Sequence, residues 1–177
     1  MRTNAIKQML KEYFFINPTS KLRIREIERK VGIALPSAIR YCKEFTKEGI
    51  LSVLKIGNVT FYTANRANEK FLLEKKLFNI KQLYASGFVK YLRHELSNPA
   101  VMVFGSFAKG EDTEESDIDL YIETNSANKI NLEKFEKNLG KRFQIFKHKN
   151  LKELSNPHLA DAIINGIVLN GFVRVFT

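Results

Sequence analysis

Apolar residues recur at helical spacing along the first fifty residues of the chain and then change to a strand-like period. The predicted elements are helices over residues 4–15, 22–31 and 36–48, followed by strands over residues 51–56 and 59–63. The two strands flank Gly57-Asn58, a dipeptide that favours the two-residue turn of a β-hairpin. The pattern therefore predicts three helices followed by a hairpin.

The third predicted helix has an apolar face formed by Ile39, Cys42 and Phe45. The residues predicted to lie off that face are Ser37, Arg40, Tyr41, Lys43 and Lys47. We assign Cys42 to core packing. As the only cysteine, it also excludes an internal disulfide framework.

A longer helical pattern covers residues 66–97 and breaks near Gly87. Its apolar stripe comprises Leu73, Leu77, Ile80, Tyr84, Phe88, Tyr91 or Leu92, and Leu96. Two interpretations stay open for the first half of this segment: a helix that forms a homodimer, or one that packs between two domains.

Charge divides the chain into two unlike parts. The net charge is +10, of which residues 1–98 carry +11 and residues 99–177 carry −1. A basic unit favours a polyanionic partner through phosphate neutralisation, although a merely basic surface would look the same. No apolar run approaches the ~18–20 residues of a membrane span, and the first residues lack the apolar core of a secretory signal. We therefore expect a cytoplasmic protein with no membrane association.

The N-terminal pattern resembles a winged helix-turn-helix domain over residues 1–64, with residues 65–85 as a connector helix. The resemblance implies that the third helix enters the major groove of duplex DNA and that the hairpin contacts the backbone. Base contacts are then expected from Ser37, Arg40 and Tyr41, and phosphate contacts from Lys43, Lys47 and Lys55. The alternative is that this fold mediates protein interaction or dimerisation.

Downstream, a short apolar strand over residues 100–104 is followed by a second strand that opens with two aspartates. Strand alternation predicts that Asp117, Asp119 and Tyr121 share one face, while Ile118 and its alternate neighbours form the buried face. Two carboxylates at this spacing can reach one divalent cation, or two neighbouring ones. Oxygen ligands of this kind suit Mg²⁺, or Mn²⁺ in its place.

The segment between these strands supplies groups that bind phosphate. Gly105 permits close approach of the backbone, Ser106 adds a hydroxyl donor and Lys109 adds positive charge. The segment is not a P-loop, because Gly110 is followed by Glu111 rather than lysine. A phosphate site beside an aspartate pair indicates a metal-bound nucleoside triphosphate.

These residues resemble the signature of the DNA polymerase β nucleotidyltransferase superfamily, in particular its minimal members. Gly105-Ser106 is followed by ten residues and then by Asp117-Ile118-Asp119. The resemblance covers residues 86–177 and implies an α/β (α+β) domain with a mixed sheet. It also implies that Gly105 and Ser106 hold the β- and γ-phosphates and that Asp117 and Asp119 are the catalytic, metal-binding residues.

The chain departs from that family at one position. The family's third carboxylate is expected on the strand after the next helix, where this chain has Gln144. Glutamine is neutral, so it supplies neither a general base nor a strong metal ligand. Glu123 lies too far along its strand to replace the missing carboxylate, whereas Glu153 and His148 stay open as substitutes.

Two functions follow. The first is an enzyme that moves a nucleoside monophosphate from a triphosphate to a hydroxyl and binds DNA through its N-terminal domain. Minimal members of the family are often antitoxins that modify a HEPN-type toxin, so a partner protein is one implied acceptor and a small molecule is another. The second is a DNA-binding regulator whose transferase domain is catalytically degenerate and serves as a nucleotide sensor or interaction module.

Overall fold

The computed structural model describes residues 2–173. The chain divides into two compact units, Met1–Phe78 and Asn79–Thr177. The division falls inside a helix of the segment expected to be a connector. Among the described residues, no helix combines the length and the apolar composition required to cross a membrane.

The first unit contains the predicted helices and hairpin. Its elements are α1 (Arg2–Ile16), α2 (Ile24–Val31), α3 (Leu35–Lys47), β1 (Leu51–Ile56), β2 (Val59–Ala64) and the first part of α4 (Glu69–Ala85). The strands pair antiparallel around Gly57-Asn58, and Leu22 forms an isolated bridge with Tyr62. The helices pack around fully buried Phe14, Ile27 and Phe45.

The buried face of α3 differs from the prediction. Ala38, Tyr41, Cys42 and Phe45 are buried, whereas Ile39 is 39% exposed. Burial at positions i, i+3, i+4 and i+7 gives a regular helical stripe that excludes Ile39. Tyr41, expected to contact DNA bases, is only 2% exposed and therefore belongs to the core.

The apolar stripe predicted for α4 is likewise not its buried face. Leu73 and Leu77 are 56% and 60% exposed, while Phe71 and Leu83 are fully buried. The helix ends at Ala85 and the next begins after Gly87, as the sequence predicted. Whether the exposed leucines form a homodimer stays a prediction.

The second unit continues with α5 (Phe88–Glu95), β3 (Ala100–Phe104), α6 (Gly105–Lys109), β4 (Ile118–Glu123), α7 (Glu133–Leu139), β5 (Phe143–His148), a 3₁₀ turn (Leu151–Glu153), α8 (Pro157–Ile164) and β6 (Ile167–Asn170). The strands form one sheet in the order β5-β4-β3-β6. β3 pairs antiparallel with β4 and β6, and β4 pairs parallel with β5. The predicted mixed sheet and α+β class are thereby confirmed.

Both faces of this sheet are covered. On one face Val103 and Leu120 pack in a cluster with Phe88 of α5. On the other, Tyr121 packs with Ile163 of α8 and is fully buried. Tyr121 thus lies on the face opposite Ile118 and Leu120, as the strand alternation predicted, but α8 covers that face at Tyr121. The carboxylates reach solvent because they lie at the beginning of β4.

Candidate functional site

The two halves of the sequence signature meet where β3 turns into α6. Gly105 has φ +70°, a left-handed conformation that favours glycine. A Cβ atom built on Gly105 would overlap the Asp119 carboxylate, and Oδ2 is the nearest atom. Asp119 also pairs with Phe104 across β3 and β4, which brings its side chain to the start of α6. Glycine is thus required here by both backbone conformation and space.

The other expected phosphate-binding residues follow directly on α6. Ser106 is half-buried and Lys109 is exposed. Within residues 2–173 the Ser106 hydroxyl has no hydrogen-bonding partner, although its carbonyl accepts a hydrogen bond from the Glu111 amide at 2.9 Å. The helix ends at Gly110, whose φ is +77°. These side chains are available to a ligand near Gly105.

The two aspartates differ in their environment. Asp117 immediately precedes β4 and is exposed, whereas Asp119 is half-buried within the strand. Burial raises the pKa of Asp119 above its ordinary value, and the neighbouring charge of Asp117 raises it further. A cation between these carboxylates would offset the cost of ionising both.

Gln144 occupies the position next to Asp119 on the neighbouring strand. The parallel register of β4 and β5 pairs the two residues, and Gln144 is exposed. The neutral amide at the expected third-carboxylate position thus belongs to a residue next to Asp119 in the sheet.

The residues considered as substitutes lie at the opposite end of the strands. Glu123 pairs with His148 in the same parallel register, four residues beyond Asp119 and Gln144. Glu153 follows β5, with its Oε2 3.7 Å from Nδ1 of His148. The two residues left open as substitutes therefore lie near one another at the end of the strands away from the aspartate pair.

Two carboxylates form an incomplete metal site by themselves. Over residues 2–173, no group of three or more His, Cys, Asp or Glu side chains is arranged to hold a metal ion. Mg²⁺ commonly takes only one or two carboxylates from the protein and completes its coordination with substrate phosphates and water. Asp117 and Asp119 fit a cation that arrives with a nucleotide.

Sequence reasoning missed a buried polar cluster, which we call the Asp112 cluster, formed by Asn79, Asp112 and Lys141. Asp112 is 1% exposed, and its Oδ1 accepts a 2.7 Å hydrogen bond from the Asn79 amide. Its Oδ2 lies 3.2 Å from Nζ of Lys141. Asp112 belongs to a run of acidic and polar residues typical of a solvated loop, so no local signal marked it as buried.

The expected DNA-contacting residues lie on α3 and the hairpin. Arg40, Lys43, Lys47 and Lys55 are exposed and Ser37 is half-buried. A cavity of about 280 Å³ is lined by Lys43, Thr46, Lys47, Val53 and Tyr62. Lys43 and Lys47 thus share a groove between the helix and the hairpin.

Tyr41 is the exception among these candidates. Its hydroxyl accepts a hydrogen bond from the Arg40 guanidinium, whose central carbon lies 4.5 Å from the centre of the tyrosine ring. The ring itself is in the core, so Tyr41 supports Arg40 rather than contacting a ligand. The neighbouring Cys42 is also buried, and burial raises the pKa of its thiol to about 12.

Comparison with known proteins agrees with this geometry. Residues 88–171 match the family described as "Polymerase beta, Nucleotidyltransferase". A protein of Methanocaldococcus jannaschii, named "putative protein adenylyltransferase", is 30% identical over 101 residues, which span 53% of this chain and 97% of that relative. No solved structure matches significantly. The family match contains Gly105, both aspartates and Gln144, and the 30% identical relative is covered over nearly its whole length, so the chain belongs to the polymerase β nucleotidyltransferase family.

Proposed function

We propose that the second unit transfers a nucleoside monophosphate from a metal-bound nucleoside triphosphate to an acceptor hydroxyl. The observation that carries this proposal is the close approach of the Asp119 carboxylate to Gly105, with the charge of Asp117 near Asp119. Because Gly105 has no side chain, a phosphate can approach its backbone closely. The adjacent carboxylates can bind the cation that accompanies a triphosphate.

In this proposal each residue has a separate task. The backbone around Gly105, the Ser106 hydroxyl and the Lys109 ammonium hold the β- and γ-phosphates. Asp117 and Asp119 would hold Mg²⁺ or Mn²⁺, which would supply neutralisation of the phosphate charge. The acceptor oxygen bonds to the α-phosphorus as the bond to the pyrophosphate oxygen breaks. The acceptor proton leaves to solvent, because Gln144 is not a base.

A protein is the acceptor that we favour. The name of the Methanocaldococcus jannaschii relative refers to adenylyl transfer to protein. By this proposal the transferred group is AMP and the acceptor is a side-chain hydroxyl of a partner protein. A HEPN-type toxin is the partner implied by the resemblance to minimal antitoxin members of the family, and a small-molecule acceptor is the alternative.

We propose further that the first unit is a winged helix-turn-helix domain that binds duplex DNA. Three helices and an antiparallel hairpin support this proposal, as does the exposure of Arg40, Lys43, Lys47 and Lys55. Arg40 and Ser37 would contact bases, while the lysines would contact phosphates. Tyr41 is removed from the contact set because of its burial.

One observation favours a second candidate function. The amide of Gln144 stands where the third carboxylate is expected, and Glu123 and Glu153 lie at the other end of the strands. A site of this composition could bind a nucleotide without turning it over. The protein would then be a DNA-binding regulator whose nucleotidyltransferase domain acts as a sensor.

Calorimetry with ATP, with and without Mg²⁺, tests the shared requirement of both candidates. We expect binding that depends on Mg²⁺ and is lost in the double variant Asp117→Ala/Asp119→Ala. Asp161→Ala, which removes an exposed carboxylate from α8, is the matched control. Equal affinity in the double variant would rule out the aspartate pair as the metal site. Mass spectrometry of candidate acceptors after incubation with Mg²⁺–ATP then separates the enzyme from the sensor.

A further inference from the structure

The Asp112 cluster connects the segments that carry the candidate site. The Asn79 amide donates to Asp112 and also, at 2.9 Å, to the carbonyl of Phe107 in α6. Asp112 lies in the loop that leads to Asp117, and its partner Lys141 lies just before β5. One cluster therefore joins the phosphate-binding helix, the aspartate-bearing loop and the strand of Gln144.

The Lys141 ammonium has three partners in and around this cluster. Its ammonium contacts the Asp112 carboxylate at 3.2 Å and donates to the carbonyls of Thr113 and, at 3.3 Å, Ser116. The two carbonyls accept hydrogen bonds from the ammonium, and the Asp112 carboxylate forms an ion pair with it. The Lys141 side chain is 12% exposed, so its orientation is fixed by these contacts.

These contacts hold the main chain on both sides of Asp117. The carbonyl of Ser116, immediately before it, accepts from Lys141. The amide of Ile118, immediately after it, donates at 2.8 Å to the carbonyl of Arg142. The exposed carboxylate of Asp117 thus projects from a backbone anchored twice to residues 141 and 142.

We propose that Lys141 is a positioning residue that sets the Asp117 carboxylate for cation binding. This inference rests on the proposed function, because it assigns Lys141 to the same metal–nucleotide site. Lys141 contacts neither the substrate nor the cation. It acts by fixing the carbonyls of the loop before Asp117. Loss of Lys141 should therefore reduce the affinity for the cation more than it reduces the contacts between α6 and the nucleotide.

The test separates positioning from folding. Lys141→Met alone leaves the buried Asp112 carboxylate without its cation, which can unfold the protein. The double variant Asp112→Asn/Lys141→Met removes both charges of the ion pair, keeps an acceptor for Asn79 and eliminates the donors to Thr113 and Ser116. Lys137→Met, on the exposed surface of α7, controls for the loss of a lysine.

Mg²⁺ is titrated at a fixed ATP concentration, and calorimetry measures ATP binding at each step. The melting temperature of the metal-free protein is measured separately. The double variant should melt near the wild type and require about 10–100 times more Mg²⁺ for half-maximal ATP binding, as when outer-shell partners of other metal sites are removed. Lys137→Met should require the wild-type concentration.

An unchanged Mg²⁺ requirement in a folded double variant would overturn the inference while leaving the proposed function intact. A double variant that does not fold would also overturn it, because the cluster would then serve folding rather than positioning. Absence of Mg²⁺-dependent ATP binding in the wild type would instead overturn the proposed function, and the inference with it.

Discussion

Gln144 lies directly beside Asp119 in the parallel register of β4 and β5. Gln144 therefore lies next to one of the two carboxylates assigned to the cation in the proposed reaction. A carboxylate at that position would add a third negative charge next to Asp119, whose pKa is already raised by burial and by Asp117. Compared with a carboxylate, the neutral side chain reduces the repulsion among negative charges in the metal-free site. It also binds a cation more weakly.

Gln144→Asp should strengthen cation binding and increase transfer to a true acceptor, because it restores a ligand and a base. The same substitution should lower the melting temperature without metal, and added Mg²⁺ should recover the loss. Transfer of labelled nucleotide and melting with and without Mg²⁺ measure the two effects. Rapid transfer by the wild type with no change in Gln144→Asp would show that a third carboxylate is unnecessary here.

Asp119→Asn should stabilise the metal-free protein at neutral pH. The pKa of Asp119 is higher in the folded than in the unfolded protein, so the protonated carboxyl contributes to the free energy of unfolding. That contribution is complete below the ordinary pKa of 3.8 and is lost as pH rises through the raised pKa. The asparagine variant avoids that loss. Its advantage in melting temperature should be small near pH 4 and reach a few degrees at pH 7, since Asp119 is half-buried and partly screened.

Asp117→Asn is the matched control for this comparison, because Asp117 is exposed and its charge acts on the half-buried Asp119. Its effect on melting temperature should be smaller than that of Asp119→Asn. In saturating Mg²⁺–ATP the order should reverse, with the wild type the most stable of the three. An advantage for Asp119→Asn that does not grow with pH would contradict the assigned cause of the pKa shift.

Gly105→Ala should destabilise the protein by ~1–3 kcal/mol, combining left-handed strain with displacement of the Asp119 carboxylate. Nucleotide binding should be lost as well. Gly140→Ala provides an internal control, because Gly140 has φ +66° but no atom within 4 Å of the place that an added methyl group would take. Denaturant unfolding of both variants should show a larger loss at Gly105. Equal losses would mean that the Asp119 contact is unimportant.

Arg40→Ala should weaken binding to a specific DNA site by ~1–3 kcal/mol if Arg40 contacts a base, with little effect on other sequences. Lys55→Ala should weaken binding to all sequences and reduce the salt slope by about 1. Tyr41→Phe keeps the buried ring and should change affinity less than either. Gel-shift titrations at several salt concentrations provide the measurement. No binding to any genomic fragment at low salt would reject the DNA-binding proposal.

Local pattern was sufficient for the parts of the fold that depend on neighbouring residues. The Gly57-Asn58 turn and the break near Gly87 were both predicted from the residues themselves. The meeting of Gly105 with Asp119 also follows from a fixed sequence spacing between two adjacent strands. These features need only short-range geometry, which the order of residues specifies directly.

Tertiary packing decided what the sequence left ambiguous. On α3, Ile39 and Tyr41 could each be buried. In the structure Tyr41 packs in the core and Ile39 is exposed. On α4, the leucines at positions 73 and 77 belong to the predicted apolar stripe, but both are exposed. The Asp112 cluster depends on Asn79, 33 residues earlier, and Lys141, 29 residues later, so no local pattern could reveal it.

The order of strands in the sheet also has a consequence for how the chain is made. β3 is apolar throughout, and one of its edges pairs with β4, which follows soon after it. Its other edge pairs with β6, where Val103 is opposite Ile167. A ribosome must therefore synthesise residues 167–170 before that edge is covered. Until then the nascent chain presents an apolar strand with unpaired backbone groups, the kind of surface that recruits other strands. Truncation before Ile167 would make this transient exposure permanent and favour aggregation.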